Sequence, residues 1–383
     1  MDRTTKIRTR RCDNDLMAEP ARDWAPHGHQ VRAWRQQTIR GTRADKRVRE
    51  VTVSLPPYIA GLDHPADRAL AAMTTAAVGG LSDLDLVHGR TLKALNHLHL
   101  RAESVDSSKI EDIEASLADY GRALLGVGAN ASANSMAAAT SALTRLIGDT
   151  QLTRQIRSEA VLWAHHDLFA RVPDEAHRAG VYRTRQNWVG GSDHSPLGAL
   201  HVPPPPELVP AYLKDLFAFC NRDDLPPLVQ AAIAHAQFES IHPFIDGNGR
   251  IGRTLIHAIL RRRRATRHLT VPIASALVAH RDRYFAALND YRAGTARTLI
   301  EMLASATRIT TAESWRTVED LDRIRQTWAQ AAGHPEPGTP EHRMLDLVVE
   351  EPILNVALAS HRLSIDETDV AAVIPPKDGL PDV

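Results

Sequence analysis

The thirteen residues Ile241-His-Pro-Phe-Ile-Asp-Gly-Asn-Gly-Arg-Ile-Gly-Arg253 constrain this chain more than any other stretch. An apolar helical pattern runs into them, and Pro243 helps to end that helix just after His242. Gly247 and Gly249 flank Asn248, so the backbone can take positive φ angles and leave its N–H groups uncovered. A second helix, expected to start near Arg250, would aim its free N–H groups and positive dipole end into the same loop, which suits phosphate. Arg250 and Arg253 are three apart and would lean over one face toward that anion. Asp246 supplies a hard oxygen suited to Mg²⁺ shared with phosphates, and His242 offers a base near neutral pH. A lone GNG would read as a surface turn. Here a base, a metal oxygen, a phosphate nest and two guanidiniums fall within twelve residues.

Around this segment the chain reads as mainly α-helical. Residues 1–47 form a basic arm without an apolar period, expected to be loose and solvated. Val51-Thr-Val-Ser-Leu before Pro56-Pro57 suggests a short extended piece. Helical periodicity starts near Ala66, and Leu84, Val87, Leu92, Leu95 and Leu98 predict a helix over 84–101. Residues 126–142, rich in small side chains, are either a link or a tightly packed helix. Ile156, Ala160, Trp163, Leu168 and Phe169 give a helical face over 151–171. The stretch 182–206, with paired glycines and a Pro203–Pro206 exit, predicts a β-hairpin flap. Helices return at 207–221, 227–241, 250–264 and 281–306, followed by a linker at 335–340 and two or three short helices. The expected domains are the arm 1–47, a helical region 48–150, a catalytic core 151–310 and an appendage 311–383.

Composition narrows the function. Lys and Arg number 46 and Asp and Glu 46, so the net charge is zero and a protein built to coat nucleic acid is not expected. The excess is local: residues 1–50 hold 13 basic against 7 acidic side chains. Two cysteines, Cys12 and Cys220, make no disulfide framework and no zinc spacing. Without an apolar core behind the N-terminal charges or an uninterrupted apolar run of membrane length, a signal peptide and a membrane span are not expected. The expectation is a cytoplasmic protein.

The segment His242–Arg253 resembles the HPFx(D/E)GNGRxxR signature of Fic-domain proteins, with every fixed position matched. The resemblance extends over roughly 50–310, through SLPPYIAGL, the flap and the VPPPPELVP segment. It implies a Fic-type helical bundle that transfers AMP from ATP, with Mg²⁺, to a Tyr, Ser or Thr hydroxyl of a target protein. By that resemblance His242 is the general base and Asp246 the Mg²⁺ ligand. The N–H groups of Gly247, Asn248 and Gly249 hold the transferring phosphate, Asn248 also through its side chain. Arg253 clamps the outer phosphates, Arg250 supports the loop or the β-phosphate, and Phe244 anchors the loop. Tyr284 and Phe285 stand where the family places an aromatic against adenine, Phe285 being the candidate and a core role the alternative, and Val189, Gly190 and Gly191 of the flap would dock the target by strand addition. Gly190 and Gly191 would allow the target to approach closely. The chain itself is one candidate target, and a homodimer is left open.

Upstream, Ser107-Ser-Lys-Ile-Glu111-Asp112 resembles the family's inhibitory (S/T)xxxE(G/N) helix, placed before the core as in class II members. A glutamate that reached Arg253 would take the clamp away from the γ-phosphate. The competing account is a capping box, Ser108-x-x-Glu111, at a helix start. Asp112 stands where the family has Gly or Asn.

Three other signals are weighed. His165, His166 and Asp167 suggest a metal-dependent phosphohydrolase pair, but no second ligand cluster accompanies them and a structural role is expected. Arg261–Arg264, Arg267 and His268 form a basic run expected to be a solvated helix end. Residues 344–374 resemble the start of a winged-helix module with too little chain after it for a recognition helix and wing, so sequence-specific DNA binding is not expected. Two rivals to AMP transfer remain: removal of AMP through the same site, and a regulatory module that binds DNA or protein.

Overall fold

In a computed structural model the described residues are 23–65, 67–89, 93–172, 175–351 and 353–373. Two strands, β1 (Gly28–Ala33) and β2 (Glu50–Leu55), precede the helices α1 (Arg68–His88), α2 (Lys93–Ile110), α3 (Leu117–Leu124) and α4 (Ala131–Thr153). Then come α5 (Ser158–Phe169), α6 (Val209–Cys220), α7 (Pro227–Ile241), α8 (Asn248–Arg262), α9 (Ile273–Val278), α10 (Arg281–Ala293) and α11 (Arg297–Ala331). The chain closes with α12 (Pro340–Glu350), α13 (Val356–Leu363) and α14 (Glu367–Val373). The architecture is mainly α, as expected.

Helices α7 and α8 form the centre. Every residue from Leu228 to Ile241 is buried, and so is every residue of α8 despite its four arginines. A helix walled in on all sides needs its charges paired, and that requirement shapes the site described below. Around this pair α4 packs on α5 and α8, and α1 lies along α11. Leu70, Ala77, Leu81 and Leu84 put the apolar face of α1 inside the core. α1 is also the one helix among the described residues that is long and apolar enough to cross a membrane. A core helix of this kind satisfies the same length and composition.

Helix starts follow their caps: Asp67, Ser116, Asn130 and Thr339 each accept a hydrogen bond from a first-turn N–H. The small-residue stretch is a packed helix, with Ala133, Met136, Ala139 and Ala142 buried along α4. The helix expected over 84–101 is instead the end of α1 and the start of α2. α1 ends at His88, and a Cβ on Gly89 would stand 2.8 Å from that of His268, where the chain turns against the end of the core. Leu92 lies outside the described residues, as does Ala66. Trp163, expected on a buried face, is 48% exposed. The pattern at 281–306 is broken at Gly294, φ 102°, into α10 and α11.

Two expectations about the N-terminal half change. Within the described part of the arm, β1 pairs antiparallel with β2, from Gly28 opposite Leu55 to Ala33 opposite Glu50. Trp24 and His27 donate backbone hydrogen bonds to the carbonyls of Gly294 and Arg292. Residues 23–47 therefore belong to the folded body, and 1–22, with Cys12, lie outside the described residues. The flap is less regular than a hairpin: it carries one antiparallel bridge, Val189 with His201. Its support is the new sheet, since Ser54 N–H donates to Val202 O at 2.8 Å and Trp34 meets Trp188 edge-on at 5.5 Å. The expected boundaries at 150 and 310 fall inside α4 and α11. The last three helices share a separate small core of Met344, Leu347, Ala359, Leu363 and Val370, with no strand among their described residues.

Candidate active site

Proline at 243 deprives α7 of its next N–H and disfavours a helical His242, so the chain leaves through His242 in the left-handed region, φ 49°. A β-unbranched but bulky residue holds that conformation at a cost, and Arg183 helps hold it here. Its Nε donates to His242 O at 2.8 Å and its Nη2 to Ile241 O and Pro204 O, capping the last carbonyls of α7. Arg183 is itself buried, which lowers its guanidinium to about 10. Burial, followed by the charges of Arg183 and Arg292, pushes the His242 imidazole down to about 4. His242 is therefore a neutral base at pH 7, and its Nδ1 has no hydrogen-bond partner.

Glu239, one turn upstream, was not singled out from sequence. Its Oε2 lies 4.0 Å from His242 Nδ1, and burial raises the carboxyl to about 7. An acid on an all-buried helix, three residues before the histidine, was the available signal.

The loop after Pro243 is held from both sides. Phe244 is fully buried and stacks on His165 at 3.7 Å, as expected of an anchor. His165 accepts from Gly180 N–H on Nδ1 at 3.0 Å, so Nε2 carries the proton that it donates to Asp246 O at 3.1 Å. The histidine set aside as structural is thus a support of the loop, while Asp167 pairs with Arg145. Asn187 Nδ2 adds a bond to Phe244 O at 2.7 Å.

α8 begins at Asn248, two residues earlier than expected, with Gly247 at φ 75°. A Cβ on Gly247 would also fall 2.6 Å from the Phe169 ring. No side chain caps this helix start. The N–H groups of Asn248, Gly249 and Arg250 are first-turn donors with no intrahelical acceptor, and the dipole end faces the loop. The Asn248 side chain does not extend this nest. Its Oδ1 accepts from Phe244 N–H at 2.8 Å and its Nδ2 donates to Phe244 O at 2.9 Å, so it clips the loop shut. Arg250 supports the fold rather than reaching for phosphate: it donates to Ser135 Oγ at 2.7 Å and lies 5.4 Å over the Phe169 ring.

Arg253 is 1% exposed and fully engaged. Its Nε donates to Ser107 Oγ, and its Nη2 to both Ser107 O and Glu111 Oε1, each at 2.8 Å. Burial opposes its charge, but Tyr284, Glu111 and Glu239 outweigh that and raise its basicity. The Glu111 carboxyl also loses solvation, yet Arg253 holds it below the usual carboxylate range. Ser107 and Ser108 lie in the last turn of α2 and Glu111 follows its end at Ile110, so the capping box at a helix start is excluded: Ser108 Oγ instead donates back to Ser104 O at 2.8 Å. Asp112 lies in the left-handed region, φ 58°, a conformation that Gly and Asn enter most easily. Both its oxygens accept from Arg281 at 2.6 Å, and Arg281 in turn lies over the Phe285 ring. Phe285 is half-exposed beside this pair, whereas Tyr284 is buried and bonded to His235.

Gly249 explains how Glu111 gets so close. A Cβ there would stand 1.9 Å from Glu111 Oε1. The carboxylate thus sits on the first turn of α8, over the free N–H groups. In the flap, the glycines serve internal closure. A Cβ on Gly191 would meet Leu197 O at 2.5 Å, and one on Gly190 would meet Leu200 at 2.9 Å, so the close approach expected from a target is made by the flap's own loop. Val189 is the residue whose backbone forms the bridge.

Asp246 is exposed at the mouth of the loop. Among the described residues no three His, Cys, Asp or Glu side chains gather as a metal cage. A Mg²⁺ held by Asp246 would take its other ligands from phosphates and water, which is the usual habit of that ion. Cys220 is buried and its thiol is pushed up by burial, so it offers no thiolate.

The Fic/DOC family model matches residues 155–260, which include the whole loop and α7. A probable protein adenylyltransferase of Aquifex aeolicus is 33% identical over 129 residues, covering 33% of this chain and 38% of that protein. A protein adenylyltransferase Fic of Nematostella vectensis is 33% identical over 151 residues, covering 38% of this chain and 31% of the relative. The chain thus spans well under half the length of these curated relatives. Among solved structures, a Fic family protein from Desulfovibrio desulfuricans shares the fold with a TM-score of 0.52 at 23% identity, covering 66% of this chain and 76% of that one. Fic-1 from Caenorhabditis elegans gives a TM-score of 0.51 at 22% identity, covering 66% and 74%.

Proposed function

We propose that this Fic-domain protein is a protein adenylyltransferase whose clamp, Arg253, is held shut by Glu111. The observation that carries the reading is a buried, neutral His242 imidazole beside a helix N-terminus that no side chain caps. A target hydroxyl would attack the α-phosphorus of ATP. His242 would take the hydroxyl proton as the new P–O bond forms, and the bond from the α-phosphorus to its bridging oxygen would break, with the electron pair leaving on pyrophosphate. The N–H groups of Asn248 and Gly249 would receive the growing negative charge, joined by that of Gly247 once it leaves Asp246 Oδ1, to which it donates at 2.5 Å. Bound Mg²⁺ would supply charge neutralisation on the phosphates, with Asp246 as its protein ligand. Nothing in this scheme needs a covalent enzyme intermediate.

The brake is electrostatic and steric together. Glu111 occupies Arg253 Nη2 and lies over Gly249, where an outer phosphate would have to sit. Ser107 holds the rest of the guanidinium. Removing the carboxylate would return both the cation and the space.

The test is incubation with Mg²⁺ and ATP labelled at the α-phosphate, read by denaturing gel and intact mass, with a panel of candidate protein targets present. Glu111→Gly should place AMP on protein, and Glu111→Gly/His242→Ala should not. Hydrolysis of an AMP-modified peptide by the wild type, lost in Glu111→Gly, would replace transfer by removal. Label that persists without His242 would sink the assignment of the base.

A further inference from the structure

We infer a second anion site at the opposite end of α8, shaped for a compact ligand carrying two or more phosphate groups. α8 spans fifteen residues, so its C-terminal end lies about 20 Å from the loop. There a cavity of about 570 Å³ opens between α1, the end of α4 and the turn after α8. Its lining includes Arg154, Arg261, Arg264, Arg267 and His268, with Asp85 as the only acid.

The cations are not all alike. Arg261 is consumed by the fold, donating to Gln151 and to Leu269 O. Arg154 caps the end of α8 through Arg262 O and Arg261 O. Asp85 is also committed: its oxygens accept from the N–H groups of Arg267, His268 and Leu269 at 2.6–2.8 Å. Arg264 and Arg267 are exposed, and among the described residues neither guanidinium has a hydrogen bond or an ion pair. Two forked donors are thus presented to one concavity with no local anion to meet them.

Backbone strain supports the reading independently. Arg154 and Arg264 both stand in the left-handed region, φ 61° and 58°, at helix ends where glycine is the easy residue. An L side chain there is disfavoured, and two large cations facing one pocket add mutual repulsion. That repulsion registers on Arg154, whose basicity is lowered by burial and then by the charges of Arg264 and Arg262. Arg154 is compensated by its bonds to the end of α8, but the guanidiniums of Arg264 and Arg267 gain no contact among the described residues, and uncompensated strain and like-charge crowding at one place is the pattern of a site whose ligand restores the balance. The cations converge on one cavity instead of following a stripe, and the chain carries no net charge. Both features favour a small polyphosphorylated molecule over a nucleic acid.

The experiment is calorimetric titration of the full chain with inorganic tripolyphosphate at fixed ionic strength, with sodium sulfate and a short DNA duplex as parallel ligands. Wild type and Arg253→Ala, which disables the other anion site, should bind tripolyphosphate alike. Arg264→Asn/Arg267→Gln should lose about tenfold or more in affinity, as expected when charge-assisted contacts disappear. Asparagine tolerates the left-handed conformation, so this variant should melt at or above the wild-type temperature. Arg264→Gly should weaken binding while raising the melting temperature, because the strain is relieved. Unchanged affinity in the double variant, loss in Arg253→Ala instead, equal binding of sulfate, or tighter binding of duplex DNA would each overturn the proposal. So would a lower melting temperature for Arg264→Gly.

Discussion

Glu111 Oε1 accepts a 2.8 Å hydrogen bond from Arg253 Nη2, joining residues 142 positions apart across the first turn of α8. Arg253 is sealed in the core, while the Glu111 side chain is 37% exposed. A buried guanidinium must be paired, and Glu111 with Ser107 is the pair available without nucleotide. The same contact therefore serves the stability of the fold and, under the proposed function, would compete with ATP phosphates for Arg253.

Replacing Glu111 by Gly should raise AMP incorporation about ten- to hundredfold, the size of one charge-assisted contact or slightly more. The variant should also melt lower, since Arg253 loses a partner. The contribution of the pair has a defined pH window. The Glu111 carboxyl is lowered in the fold, so its stabilisation is present above the unfolded value near 4.3 and is lost as pH falls through the lowered value. Thermal melts of wild type and Glu111→Gln should differ at pH 7 and converge toward pH 3.

Gly249→Ala should be destabilising with Glu111 present and much less so with Glu111→Gly, because the added Cβ collides with the carboxylate. A double-mutant cycle on chemical denaturation should return a coupling of about 1–3 kcal/mol. Additive effects would mean that Glu111 does not rest on the helix start in solution.

His242→Ala should cost about 10²–10⁴ in transfer rate in the Glu111→Gly background, the range of a lost general base, with nucleotide binding retained. The imidazole is lowered to about 4, so protonation should not reduce the rate between pH 8 and 6. A pH–rate profile with an acid limb near 6.5 would contradict the buried, neutral base.

Acid should unfold this protein early. His27 and His235 are lowered to about 3, and His99, His165 and His242 to about 4, burial being the leading cause in each. Unfolding exposes them to a value near 6.5, so between pH 6.5 and 4 the unfolded chain binds more protons and stability falls as pH drops. Each histidine contributes up to about 1.4 kcal/mol per pH unit, enough for five to exhaust a typical domain. Urea unfolding at pH 7, 6 and 5 should show a steep decline, and a flat series would show that these rings are solvated.

The order and type of the core helices were legible because their apolar positions recur with the helical period, and the candidate site loop because its chemistry is packed into twelve consecutive residues. The small-residue stretch 126–142 left a link and a packed helix both open, and packing against α5 and α8 made it the helix 131–153. The sheet of β1 with β2 was not legible. β1 has a polar, exposed face and sits in a basic stretch, and its pairing depends on partners 17 to 27 residues away. His165 looked like a core histidine, and it is one, but its ring also positions Asp246 through a contact 81 residues apart. The flap glycines looked open to a partner and are instead occupied by their own loop.

The sequence by itself determined which groups could do chemistry here: a base before a proline, an acid, a glycine-relaxed helix start and two arginines, all set by covalent neighbourhood and local backbone rules. Tertiary structure decided which of them is free to act. It spent the Asn248 side chain on the loop and Arg250 on Ser135, lowered His242 by burial, and brought Glu111 onto Arg253. Those outcomes depend on desolvation and on contacts between distant segments, and neither quantity is a property of a residue and its neighbours along the chain.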